Sequence, residues 1–289
     1  MTVSEMIAAR AADIEVRIGT ESEALTVAWP AMRPLLVVAV HELDHPWSGG
    51  GKLIAGIDYD KVVQHDRLAR ASLPTPRTKR LSESSSLRPS DWGEYVIVKP
   101  ALAHLGEGVR LLRTADLPGF VARLGDDQRR QIIVQPYVEH ADLGGRPFEF
   151  RVLAFFGKLI YATRNRWPVS RAPLAQIAVS SRGVIASNAS PTVTRVRALT
   201  DDAEVIRLGL AAARAFPELP SVAVDIIRSR VSGAYFILEV NPKGESWHLS
   251  SDFALQTFDP EHRAALYTQH DALSIVAISL IEKTRAEAL

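Results

Sequence analysis

The second half of the chain carries two pairs of short apolar, β-prone runs, each pair interrupted by a turn. Residues 149–156 and 158–163 flank Gly157, and residues 222–227 and 235–240 flank a turn around residues 231–233. Paired runs of this length with a glycine between them read as antiparallel hairpins. Helical patterns accompany them at residues 60–72, at 202–215 behind Asp201 and Asp202, and at about 270–288. Hairpins concentrated in one half do not fit the regular strand–helix alternation of a doubly wound parallel sheet. The expected class is therefore α+β.

The first half is less regular. Residues 4–13 are weakly helical. Strands are expected at 34–40, 95–98 and 132–135, with loops at 47–52, 82–90 and 140–147 and a glycine turn at 106–109. The helix over 60–72 must stop before the LPTP segment, because proline disfavours helical geometry in the residue before it. Residues 176–198 read as extended, and no internal repeat is present.

Composition removes several function classes. The chain has 289 residues and no cysteine. Disulfides, thiolate zinc sites, iron–sulfur clusters and cysteine nucleophiles are excluded, and the cytoplasm is the expected location. Lys plus Arg total 34 against 33 Asp plus Glu, a balance that argues against nucleic acid as a partner. The longest apolar runs, 34–40 and 273–281, fall far short of the about 20 residues of a spanning helix, so no membrane is expected.

Three motifs fail on context. His41-Glu42-Leu43-Asp44-His45 matches a zinc-helix pattern and is also similar to the peptide deformylase motif. A strand-like run precedes it, however, Pro46 and three glycines follow it, and the deformylase cysteine is missing. Lys52 follows three glycines, but no Gly stands at 46 and no Ser or Thr at 53, so there is no phosphate-binding P-loop. Gly106 and Gly108 lack the third glycine of a dinucleotide fingerprint.

Four features remain. Asp225 in VAVDII faces Glu239 and Asn241 in FILEVN across one hairpin. Glu239 and Asn241 are two apart on a strand and so share a face. Three oxygen donors on one face are hard ligands that suit Mg²⁺. Lys99 ends the apolar strand YVIV and can present its ammonium to a phosphate. The turn from His104 to Val109 contains Gly106 and Gly108, which let backbone amides approach phosphate oxygens. Gln135, Tyr137 and Val138 leave a strand whose exposed backbone can read a base edge, and Glu139 and Asp142 follow as candidates for ribose hydroxyls. Taken singly, each has a plainer reading as a solvated face, a strand end or an ordinary turn.

In this order the residues resemble the ATP-grasp superfamily over about residues 58–250. Lys61 in YDKVVQHDRLARASLPTPRT looks like its first nucleotide lysine. VIVKP with GEGV looks like its second lysine and mobile phosphate loop, IIVQPYV like its adenine hinge, and VAVDII with LEVN like its metal strands. The segment FEFRVLAFFGKLIYATRNRWP is similar to the branch that holds bacterial glutathione synthetase and the ribosomal-protein glutamate ligases. Arg151 and Arg164 match the arginines that open and close the branch's hairpin.

The resemblance implies an ATP-grasp fold of two α+β subdomains clamping ATP, with a shortened N-terminal α/β segment. It divides the chain at 1–57, 58–134 and 135–289. It implies an ADP-forming, Mg²⁺-dependent carboxylate–amine ligase that works through an acyl phosphate, with two metal ions. Asp225, Glu239 and Asn241 would hold metal. Lys61 and Lys99 would neutralise phosphate, Arg164 and Arg151 would stabilise the transferred group, and Gly106–Gly108 would form a lid. Lys243, Ser246, Trp247 and His248, which directly follow the metal strand, are substrate candidates. The branch's Arg-x-Asn segment is not reproduced: Arg182 is followed by Gly183 and Val184, leaving Asn188 as the substitute candidate. The arginines at 164, 166, 171, 182, 195 and 197 suit an anionic small-molecule or peptide substrate, or a solvated face. The short segment before Lys61 leaves room for a homodimer or partner chain to complete the acceptor site. A small-molecule kinase and a non-catalytic nucleotide-binding protein are the other readings of the same residues.

Overall fold

The computed structural model describes residues 2–26, 33–83, 88–102, 107–179, 195–242, 255 and 258–288. Helices α1 (Val3–Arg10) and α2 (Glu21–Thr26) precede a parallel pair, β1 (Leu36–Ala39) and β2 (Lys52–Ala55). Helix α3 (Lys61–Arg70) follows, then β3 (Lys79–Arg80), α4 (Pro89–Trp92), β4 (Tyr95–Pro100) and β5 (Arg110–Arg113). Helices α5 (Leu117–Ala122) and α6 (Asp126–Gln131) lead to β6 (Ile132–Pro136). The second half holds β7 (Phe148–Phe155), β8 (Lys158–Arg166), α7 (Leu174–Val179), β9 (Val196–Leu199), α8 (Ala203–Arg214), β10 (Ser221–Arg228) and β11 (Tyr235–Asn241). Helices α9 (Pro260–Gln269) and α10 (Ala272–Glu287) end the chain.

Two antiparallel sheets organise these elements. The small one has the order β3-β6-β4-β5 and the large one β11-β10-β7-β8-β9. Both expected hairpins are present, as neighbours in the large sheet. The β7–β8 turn is made by Phe156 and Gly157, both at positive φ, the backbone that a two-residue hairpin loop requires.

Strand alternation sorts the large sheet's side chains. Phe150, Val152 and Ala154 of β7, with Val224 and Ile226 of β10, pack under α8. That helix presents Val205, Leu208, Gly209, Ala212 and Ala213, the i, i+3, i+4, i+7, i+8 stripe of an amphipathic helix. Gly209 is required here, because a Cβ would sit 2.5 Å from that of Val152. On the opposite face, Leu153, Phe155, Tyr161 and Ala223 are covered by Phe258, Leu266, Ala272 and Val276. Helices α9 and α10 cover only one end of that face, and the rest of it forms one wall of a cleft. Among the described residues no single helix is long and apolar enough to cross a membrane.

Several expectations need correction. Of the stretch expected as extended, 176–179 belong to a helix, and among its described residues only 196–198 are strand. The loop expected at 82–90 overlaps a 3₁₀ turn at Leu81–Glu83 and the start of the short α4. The loop at 47–52 gives way to β2, whose parallel pairing with β1 has no local signal. Strand β6 runs through Pro136 within the small sheet, so the proposed boundary at 134 cuts it. Helix α3 sends Leu68 into the large sheet's core with Ile237 and Val240, so the segment that carries Lys61 packs with the large sheet. Ile7 of α1 and Ala11, which caps it, pack against Ala277 and Ile281 of α10, which joins the N-terminal segment to that helix.

Candidate active site

The cleft lies between the two sheets. In β4, Val96 and Val98 face the small sheet's own core with Leu81, Trp92, Leu117 and Val134. Ile97 and Lys99 therefore point the other way, into the cleft. Strand β6 contributes Gln135 and, beyond it, Pro136, Tyr137 and Val138. From the large sheet come Glu149 and Arg151 of β7, Asp225 and Ile227 of β10, and Leu238 and Glu239 of β11.

A bulge aims the last pair. Asp225 lies opposite Glu239, but Ile226 lies opposite Ile237, so Leu238 is an extra residue. Strict alternation would send Leu238 and Glu239 to opposite faces. With the bulge both line the cleft, while Ile237 and Val240 both enter the core.

Lys61 reaches the same place from α3. Asp60 caps the helix by accepting from the Val62 amide at 2.8 Å and is itself held by Arg80 at 2.7 Å. Lys61 thus becomes the first helical residue. Its amide donates to the Ala101 carbonyl at 3.1 Å and its buried ammonium pairs with Glu239 at 3.0 Å. Lys99 is also buried. Its pKa is lowered to about 8, first by burial and then by the nearby Lys61, with Glu239 and Asp225 opposing the shift.

The carboxylates form a tight ionic row. Arg151 donates to both oxygens of Asp225, at 2.7 and 2.9 Å, and Asn241 donates to Asp225 Oδ2 at 2.9 Å. The Asp225 carboxylate holds the Arg151 guanidinium protonated well above its ordinary value. Burial, and then Asp225, push the Glu149 carboxyl up. Arg195 pairs with Glu149 at 3.0 Å and lies over the Trp167 ring.

Asp225, Glu239 and Asn241 thus converge on one face. Among the described residues no three His, Cys, Asp or Glu side chains gather as metal ligands, so a metal here would have to be held by two carboxylates and an amide oxygen. That set fits Mg²⁺, which takes one or two carboxylates together with substrate phosphates.

Not every expected residue reaches the cleft. Arg164 lies opposite Phe150, whose side chain faces the α8 core. Directly opposed residues share a sheet face, so Arg164 points away from Arg151 and rests on the Phe148 ring at 4.4 Å. Pairing it with Arg151 in one site is corrected on that ground. Asp142 is spent within its own turn, on the Gly144 and Arg146 amides and the Arg146 guanidinium. Glu139 accepts from the Ala141 amide and lies 3.9 Å from Arg171. The Gln135 side chain turns to His65 and Thr78. Gly108 is at positive φ, where a Cβ would meet Pro100 at 2.9 Å. Gly106, Asn188, Lys243, Ser246, Trp247 and His248 lie outside the described residues. The zinc-like motif forms no helix, and its Asp44 and His45 amides donate to Glu21.

Other cleft residues escape a sequence reading. Glu149 stands two before Arg151, a strand-face spacing that signals its position. Arg171 donates to Tyr137 Oη and His140 Nε2 at the end of β6, and no local pattern announces a contact across 31 residues.

No protein-family profile matches the chain, and no curated protein does. Solved structures resemble it at low identity. One is the ATP-grasp ligase PsnB complexed with a minimal precursor, with 17% identity, a TM-score of 0.49, and coverage of 78% of this chain and 60% of that one. Another is the D-cycloserine synthetase DcsG, with 18% identity, a TM-score of 0.49, and coverage of 78% and 70%. A third is a D-alanine–D-alanine ligase from Bacillus anthracis complexed with ATP, with 15% identity, a TM-score of 0.48, and coverage of 78% and 67%. The chain thus spans less than two thirds of PsnB. At these identities and TM-scores the likenesses carry no substrate or activity over to this chain.

Proposed function

We propose that the chain is an ATP-dependent, ADP-forming carboxylate–amine ligase that makes an amide through an acyl phosphate. The observation that carries this reading is the meeting, in one cleft, of Lys61, Lys99 and Arg151 with Asp225, Glu239 and Asn241. Phosphoryl transfer asks the protein for positioning and charge stabilisation rather than covalent chemistry, and these groups supply both.

The base end of the cleft is apolar, lined by Ile97, Pro136, Tyr137, Val138 and Leu238. The Tyr137 amide bonds to β4, so by alternation the Pro136 carbonyl faces the opposite edge of β6. Strand β3 covers that edge only opposite Ile133 and Val134, leaving backbone to read an adenine edge. Lys61 and Lys99 neutralise the phosphates. Arg151 stabilises charge on the transferred group. Asp225, Glu239 and Asn241 would hold Mg²⁺, which would supply positive charge against the phosphates. A carboxylate oxygen of the acid attacks the γ-phosphorus and ADP leaves. The amine then attacks the acyl carbon, phosphate leaves, and the amine proton is released.

A screen of carboxylate and amine pairs for ADP release tests this reading. With the active pair, oxygen-18 from the labelled carboxylate is expected in phosphate. One label stays in the amide carbonyl on this route, so phosphate free of oxygen-18, or a stable phosphorylated product with no need for an amine, overturns the ligase.

A further inference from the structure

His65 is a buried imidazole close enough to both cleft lysines to feel their charge, and it has no part in the proposed nucleotide contacts. It lies four residues after Lys61 on α3, hence on the same helix face. Burial, Lys99 and Lys61, in that order, push its pKa down to about 3. A neutral imidazole has one donor and one acceptor, and both are engaged. Gln135 can only donate through Nε2, so His65 Nε2 accepts, at 2.7 Å. The ring proton therefore sits on Nδ1 and goes to Thr75 Oγ1. The Thr75 hydroxyl passes its own proton to the Ile237 carbonyl at 3.1 Å, and the Ile237 amide returns to the Pro74 carbonyl at 2.8 Å.

Every hydrogen bond in this chain has a set direction, and its ends lie on different sheets. Gln135 belongs to β6, two residues before Tyr137. Ile237 belongs to β11, two residues before Glu239. We propose that His65 is a positioning residue of the nucleotide site, whose neutral ring ties the base-reading strand β6 to the metal strand β11. A fully satisfied buried network specifies one arrangement of the groups it joins. Small displacements of such groups are costly to binding and catalysis. The proposal rests on the nucleotide reading of the cleft.

The test is calorimetric titration of the full chain with AMPPNP and Mg²⁺, with a thermal melt of each variant. His65→Leu is expected to weaken nucleotide binding by about tenfold or more. His65→Gln, whose amide can accept from Gln135 and donate to Thr75, is expected to restore most of that loss. Thr75→Val should weaken binding in the wild-type background and add little in the His65→Leu background, because both break one chain. A folded His65→Leu variant with wild-type affinity overturns the proposal, as does a His65→Gln variant as weak as His65→Leu. If His65→Leu does not fold, Thr75→Val decides alone, and unchanged affinity overturns the proposal. If the wild type binds no AMPPNP, the nucleotide reading itself falls and the proposal with it.

Discussion

Arg151 and Asp225 lie opposite each other on neighbouring strands and share two parallel hydrogen bonds, Nε to Oδ1 at 2.7 Å and an Nη nitrogen to Oδ2 at 2.9 Å. A guanidinium thus occupies the carboxylate that Mg²⁺ would use. The same buried anion accepts a third bond from Asn241. The pair sets the charge balance of the cleft before any substrate arrives.

Removing one partner of a buried pair strands the other. Arg151→Ala is expected to lower stability by about 3–5 kcal/mol, read as a fall in the urea midpoint. Millimolar Mg²⁺ should recover part of that loss in Arg151→Ala and shift the wild type less, because the wild-type carboxylate already has a cation. An equal Mg²⁺ response in both proteins would sink the metal assignment at Asp225.

Lys99→Ala and Glu239→Ala are each expected to reduce nucleotide turnover by at least about 10²-fold. Far-UV circular dichroism should stay unchanged, since both side chains face the cleft rather than a core. Near-normal turnover in either variant would remove it from the site.

The Lys99 ammonium, with its pKa lowered to about 8, gives a pH signature. If its protonated form binds phosphate, as proposed, kcat/KM should fall as pH rises through about 8, and Lys99→Arg should move that limb to higher pH. Stability responds with the opposite sign. Between about 8 and the ordinary lysine value near 10.4 the unfolded chain holds more protons, so the Lys99 contribution to stability rises with pH. Comparing urea midpoints of the wild type and Lys99→Met across that window isolates the slope.

Gly209 faces Val152 with no room for a Cβ. Gly209→Ala is expected to cost about 1–3 kcal/mol through overpacking, despite alanine's better helix propensity. Val152→Ala should relieve the clash, so a double-mutant cycle is expected to show a strongly favourable coupling. Additive losses would mean that α8 shifts away from the sheet instead.

Much of the large sheet was legible because its signals are local. The glycine turn between two β-prone runs set the β7–β8 hairpin, and a two-residue spacing placed Glu239 and Asn241 on one face. The acidic pair at 201 and 202 marked the start of α8, where Asp202 is the cap. Strands β2, β3 and β5 went unread because each is short and is held by a partner elsewhere in the chain. Arg164 was misread because the motif gives its order in the chain, whereas its pairing with Phe150 gives its face.

The amino-acid sequence by itself determined which groups are available: two lysines, a hairpin with Asp225, Glu239 and Asn241, an apolar strand exit at β6, and no thiol. Periodicity is a property of neighbouring residues, so it also determined the element types along the large sheet. Only the tertiary structure decided which of these groups face one another. The Leu238 bulge turned Glu239 and Leu238 together into the cleft, Asp142 was consumed in its own turn, and His65 was drawn into a chain ending at Ile237. Those outcomes depend on strand register and on hydrogen bonds between residues far apart in the chain, and neither leaves a trace in local spacing.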